Sequence, residues 1–165
     1  MIEFQSHIGS LDYLLGVNYI FIPSNIVQKL GGFKAGRLIC KANNTIEFQC
    51  GIVSLGEGNG YITLNKTRLK KLKLQTGDSI TIRLEKDNSE YGMELSDELK
   101  ELLSQDHEAN LRFNALKPGM QRYIIFYVSQ VKSPHLRLER ALLLLNNLKQ
   151  IPTGKETFRA ILGKE

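Results

Sequence analysis

The chain has 165 residues, 42% of them hydrophobic and 24% charged, with a formal net charge of +5. That is enough for one large domain or two small ones, burying about 70% of the unfolded surface without a metal or disulfide staple. No apolar run approaches the roughly 20 residues that span a bilayer, and Met1-Ile2-Glu3-Phe4 lacks the basic and apolar regions of a secretory signal, so the expected location is the cytoplasm.

Ile2 to Ile8 reads as a first strand and Tyr19 to Ile22 as a second. Pro23 suits the first turn of a helix, with Ile26, Val27 and Leu30 on one face and Gly31-Gly32 as its stop. Arg37 to Ala42 and Thr45 to Val53 form a hairpin about Asn43-Asn44. Pairing Ala42 with Thr45 sets Arg37 opposite Cys50 and Cys40 opposite Glu47. The two cysteines then face opposite sides of the hairpin, so no disulfide is expected, which agrees with a reducing compartment. Each reads as a small buried hydrophobe.

Gly56, Gly58 and Gly60 precede the strand Tyr61 to Leu64. A phosphate-binding loop needs a helix straight after its glycines, so a hairpin turn is the better reading. Lys66 to Leu74 is expected to make one or two helical turns with Leu69 and Leu72 inward, and Ser79 to Glu85 is the clearest alternating strand. Asp87-Asn88-Ser89-Glu90 is the linker candidate.

Near Met93 the apolar period changes from strand-like to helical. Ser96 can cap the next helix, with Asp97 and Glu98 at its positive end. Asp106 caps a second, which carries Leu111 and Phe113. Lys117-Pro118-Gly119 separates that from an apolar helix, Gln121 to Val131. Ser133-Pro134 opens a long helix to about Leu148, and Thr153 with Glu156 has capping-box spacing before a short last helix. In the long helix, Leu138, Ala141, Leu142, Leu145 and Leu148 make one stripe, with Leu136 and Leu143 on another side. Either the fold covers both sides or one stripe meets a partner chain, as in a homodimer. Coverage by the helix Glu156 to Leu162 is the favoured reading.

Chemistry-bearing motifs are sparse. His7, His107 and His135 stand alone as metal ligands, with no second histidine at i, i+4 and no Cys pair nearby, and no nucleophile has the local context of an activated one. Asp97, Glu98 and Glu101 lie on one helix surface, where carboxylates stay solvated rather than tuned for acid–base work. No catalytic residue, metal ligand or cofactor is therefore assigned. Charge is unevenly distributed: Glu94 to Glu108 carries a net −5 and Arg112 to Lys164 a net +8. Lys66, Arg68, Lys70, Lys71 and Lys73 form a basic run with no acid inside it. Such a run reads either as a solvated helix face or as an anion site for a phosphate backbone or acidic headgroups.

The second half resembles the YdeI/OmpD-associated, or bacteriocin-protection, family. The resemblance rests on Leu95-Ser96-Asp97-Glu98-Leu99, Phe113-Asn114-Ala115-Leu116-Lys117-Pro118, Arg122-Tyr123-Ile124, Val131-Lys132, and the pair Arg137 and Arg140. The chain lacks that family's usual tryptophan, and has His135-Leu136-Arg137 where a Glu-Thr-Arg step is usual. The first half resembles the domain of unknown function often found ahead of that module. It does so through Ile20-Phe21-Ile22-Pro23, Asn43-Asn44, Gly60-Tyr61-Ile62-Thr63-Leu64 and Thr76-Gly77-Asp78-Ser79-Ile80. These resemblances imply an α+β chain: a small double-split β-barrel over residues 1–90, distantly similar to AbrB/MazE swapped-hairpin regulators, then an all-helical module over 91–165.

They also imply a bacterial, non-enzymatic binding or stress-related protein linked to antimicrobial-peptide tolerance. A nucleic-acid-binding regulator is the alternative, with Lys132, Arg137 and Arg140 as a second candidate basic group. An enzyme with a site between barrel and helices is a third reading. The partner expected from charge is anionic, a nucleic acid or an acidic protein.

Overall fold

The computed structural model describes residues 1–164, and the chain separates into two compact units, Met1–Gly92 and Met93 onward. It is an α+β chain in which a barrel-like antiparallel sheet is followed by helices, as the change of period predicts.

The first unit holds strands β1 (Ile2–Leu11), β2 (Val17–Ile22), β3 (Leu38–Ala42), β4 (Ile46–Cys50), β5 (Val53–Gly56), β6 (Asn59–Leu64) and β7 (Ser79–Lys86). They lie in the order β4-β3-β7-β1-β2-β6-β5. β1 belongs to both halves of this arrangement. Its residues Ile2 to His7 pair with β7, and Ile8 to Leu11 pair with β2. Ile8, at the changeover, is fully buried among Ile20, Ile62, Ile80 and Ile82. Burying each such side chain contributes about 1.5–3 kcal/mol. Helices α1 (Ser24–Lys29) and α2 (Lys66–Leu72) add Ile26, Val27 and Leu72 to this core. Asn65 caps α2: its side chain accepts from the Arg68 N–H.

The β3–β4 hairpin corrects the expected register. Asn43 and Asn44 both take φ near +50°, as a type I′ turn requires, and the Thr45 N–H donates to the Ala42 carbonyl. Thr45 itself stays outside the ladder as a bulge, however, and Ala42 pairs with Ile46. Every later pair moves by one: Cys40 faces Phe48, and Leu38 faces Cys50. Both cysteines therefore lie on the same, inward face, free and buried. The strand expected to run to Val53 also breaks after Cys50, so that β5 starts afresh and turns into β6 through Glu57-Gly58. Asp87, expected in a linker, is held in the first unit. Its N–H donates to the Arg37 carbonyl and its carboxylate accepts from Gln49 and the Ser89 N–H.

The second unit contains α3 (Asp97–Gln105), α4 (His107–Asn114), α5 (Pro118–Ser129), α6 (Pro134–Gln150) and α7 (Phe158–Ile161). Ser96, Asp106 and Ser133 cap α3, α4 and α6 as expected. Two ends differ. α5 begins at Pro118 rather than Gln121, because proline at the first position needs no intrahelical N–H bond. α7 is capped by Thr157, not Thr153: Thr157 Oγ1 accepts from the Ala160 N–H, while Glu156 turns to the Gly154 N–H and Arg112. The buried arc of α6 is Ala141, Leu144, Leu145 and Leu148, so Leu144 takes the core position assigned to Leu142. α7 packs against α6 through buried Ile161, and Asn147 Nδ2 donates to the Ile161 carbonyl at 2.9 Å.

Candidate anion-binding site

α2 is short because Lys73 leaves it in the left-handed region at φ +55°. Helical spacing sends Leu69 and Leu72 to one side and Lys66, Lys70 and Lys71 to the other. Lys66, Lys70, Lys71 and Lys73 are all exposed, and among the described residues none of the four makes an ion pair. Lys70 and Lys71 sit in the last turn, where the helix dipole favours cations. Arg68 does not join them. It turns inward, half-buried, with its guanidinium carbon 4.0 Å from the centre of the Phe48 ring. Burial lowers its pKa from the ordinary arginine value.

Lys132, Arg137 and Arg140 do not form a comparable surface. Arg137 holds Glu98 with two parallel bonds, Nε to Oε2 at 2.9 Å and Nη2 to Oε1 at 3.0 Å. Its remaining guanidinium nitrogen, Nη1, donates to the Val131 and Lys132 carbonyls. Such bidentate pairs are directional and strong for their class. Arg140 lies over the Tyr127 ring at 4.3 Å and donates to the Tyr127 carbonyl. The two arginines fasten α6 to α3 and α5, and Lys132 alone stays exposed.

The acidic stretch is partly neutralised in the same way. Arg137 holds the Glu98 carboxyl below its ordinary range. The Ala109 N–H, and after it Lys149, does the same for Asp106. Lys149 Nζ lies 2.5 Å from Asp106 Oδ2, and Arg112 Nη2 lies 3.2 Å from Glu156 Oε1.

A second basic concavity of about 520 Å³ lies in the second unit, lined by Asn147, Gln150, Lys155, Thr157, Arg159 and Lys164. Sequence spacing does not mark it. Its cations are spread over ten positions: Lys155 comes from the turn between α6 and α7, Arg159 from α7 and Lys164 from the residues after it. Among the described residues, no cluster of three or more His, Cys, Asp or Glu could hold a metal ion. No helix among them is long and apolar enough to cross a membrane.

Residues 92–151 match the family described as bacteriocin-protection, YdeI or OmpD-associated. Residues 4–84 match a domain of unknown function, DUF1905, so the two domains follow one another in the expected order. The YdeI or OmpD-associated match begins at the boundary between the two compact units and runs through α6. Searches of curated proteins and of solved structures find no significant match.

Proposed function

We propose that this protein is a non-enzymatic binding protein that holds an anionic macromolecule on the lysine face of α2, in a stress or bacteriocin-protection role. The carrying observation is that Lys66, Lys70, Lys71 and Lys73 are exposed and, among the described residues, in no ion pair, while the nearby arginine is turned inward. A field of that kind draws in anions and is screened by salt. Direct capture of cationic antimicrobial peptides fits less well. The chain carries +5 overall, and Glu98 and Asp106 of its acidic stretch are already held by Arg137 and Lys149.

The test is fluorescence anisotropy with labelled duplex DNA and labelled polyglutamate, side by side, with a cationic peptide as the contrasting probe. Binding through three lysine–phosphate contacts predicts that DNA affinity falls roughly 40-fold between 50 and 200 mM salt. The triple change Lys66→Glu, Lys70→Glu, Lys71→Glu abolishes it. Preference for polyglutamate over DNA identifies an acidic protein as the partner class. Binding to neither anion, or binding unchanged in the triple variant, overturns the reading.

A further inference from the structure

β1 and β2 run one pair past the rest of the sheet. Their last pair, Leu11 with Val17, lies beyond Asn18 with Leu64, the last pair of β2 with β6. In and beside the turn that joins them, Tyr13, Leu14, Leu15 and Val17 are all exposed, Leu15 completely. Leu15 takes φ +54° and ψ +37°, the left-handed region where a leucine side chain crowds its own backbone. Gly16 follows at φ +73°, and its N–H closes the loop on the Leu11 carbonyl at 3.1 Å. Glycine or asparagine suits such a position, and Leu15 adds no burial to offset the strain. The segment that carries the lysines is tied to the same end of the sheet. Leu64 pairs with Asn18 just before α2, and Asn18 Nδ2 donates to Thr76 Oγ1 at 2.9 Å just after it. Asn18 thus joins the base of the apolar loop to both ends of the stretch that holds Lys66, Lys70, Lys71 and Lys73. Within residues 11–18 and 64–79 the acids are Asp12, exposed in the loop, and Asp78, whose carboxylate accepts from the Gln75 N–H at 2.8 Å.

We propose that this end of the first unit docks on anionic lipid bilayers, with Tyr13, Leu14 and Leu15 entering the interface and the α2 lysines on the headgroups. The proposal rests on the anion-binding reading of α2 and names the partner of that face. A bilayer offers both chemistries at once: anionic headgroups, and an acyl boundary that apolar side chains reach within about 5–10 Å. Lysines near such a surface are drawn to it, and tyrosine suits its headgroup level. A nucleic acid presents phosphates with no apolar layer for Leu14 and Leu15 to enter. A second copy presents an apolar loop, but a two-fold contact there gathers the lysines of both copies at one interface, and like charges oppose it.

The chain has no tryptophan, so Tyr13→Trp puts a single reporter on the loop of the full-length protein. It is titrated with vesicles of equal parts phosphatidylglycerol and phosphatidylcholine, and with vesicles of phosphatidylcholine alone. With the anionic vesicles its emission is expected to shift to the blue and to be quenched by brominated lipid chains. Without the anionic lipid, affinity falls about fivefold for each lysine engaged. Leu15→Asn suits the left-handed position, so it keeps or raises the melting temperature. Combined with Leu14→Ser it weakens vesicle binding roughly tenfold, while labelled DNA binds as to the parent. Loss of all anion binding, to DNA, polyglutamate and vesicles alike, refutes the lysine face itself. DNA or polyglutamate binding with a tryptophan that stays silent on vesicles refutes the bilayer alone, as does parental vesicle affinity in the leucine variants. A blue shift that grows with protein concentration and needs no lipid assigns the loop to a second copy and also overturns the proposal.

Discussion

Arg137 and Glu98 join the start of α6 to the first turn of α3 through two parallel hydrogen bonds of 2.9 and 3.0 Å. Both groups are mostly screened from solvent, at 23% and 16% side-chain exposure, and the same guanidinium also ties down the carbonyls that precede α6. Glu98→Gln is therefore expected to lower the melting temperature of the helical unit at neutral pH. The gap to the parent should close in acid, where the parent loses the same charge. A gap that stays constant with pH would show that the charge plays no part.

Acid itself should loosen this unit. Glu98, Asp106 and Glu156 each have a folded pKa lowered from the ordinary value for its own side-chain type. For a lowered carboxylate, the stabilisation is complete above the unfolded value and is lost as pH falls through the folded one. Helical circular dichroism should hold from neutral pH down to the ordinary carboxylate range and then fall together with near-ultraviolet signals. Loss of helix well above that range would contradict the assignment.

The buried arc of α6 makes two neighbouring leucines unequal. Leu144 has no exposure and Leu143 is 49% exposed. Leu144→Ala should cost about 2–5 kcal/mol through lost burial and a cavity. Leu143→Ala should stay within about 0.5 kcal/mol. Urea denaturation of the two variants checks the difference.

Two glycines are expected to answer alanine with opposite signs. A side-chain carbon at Gly9 would fall 2.2 Å from the Tyr19 ring, so the ring has to leave its place against Tyr61. Gly9→Ala should destabilise by about 1–3 kcal/mol. Gly119, in the first turn of α5, has no neighbour within 4 Å of that position. Gly119→Ala should stabilise by about 0.4–1 kcal/mol, by restricting the unfolded chain. Thermal melts of both variants decide the signs.

Caps give a further comparison within one segment. Thr157 accepts from the Ala160 N–H and Thr153 does not cap α7. Thr157→Ala should cost about 1 kcal/mol, and Thr153→Ala little. Equal effects would place the cap where spacing alone had suggested it.

The sequence by itself determined the class of each element. Alternation in Ser79 to Glu85 marks β7, and Ser96, Asp106 and Ser133 mark three helix starts, because alternation and capping depend on neighbours a few residues away. Even the Asn43-Asn44 turn was legible. Only the tertiary structure decided which residues meet. A single unpaired Thr45 reversed the parity of the hairpin and brought Cys40 and Cys50 to one face. A pairing across 39 residues took Arg137 out of the basic surface, and stacking on Phe48 took out Arg68. Register and ion pairing are set by contacts between segments distant in the chain, and no local period records them.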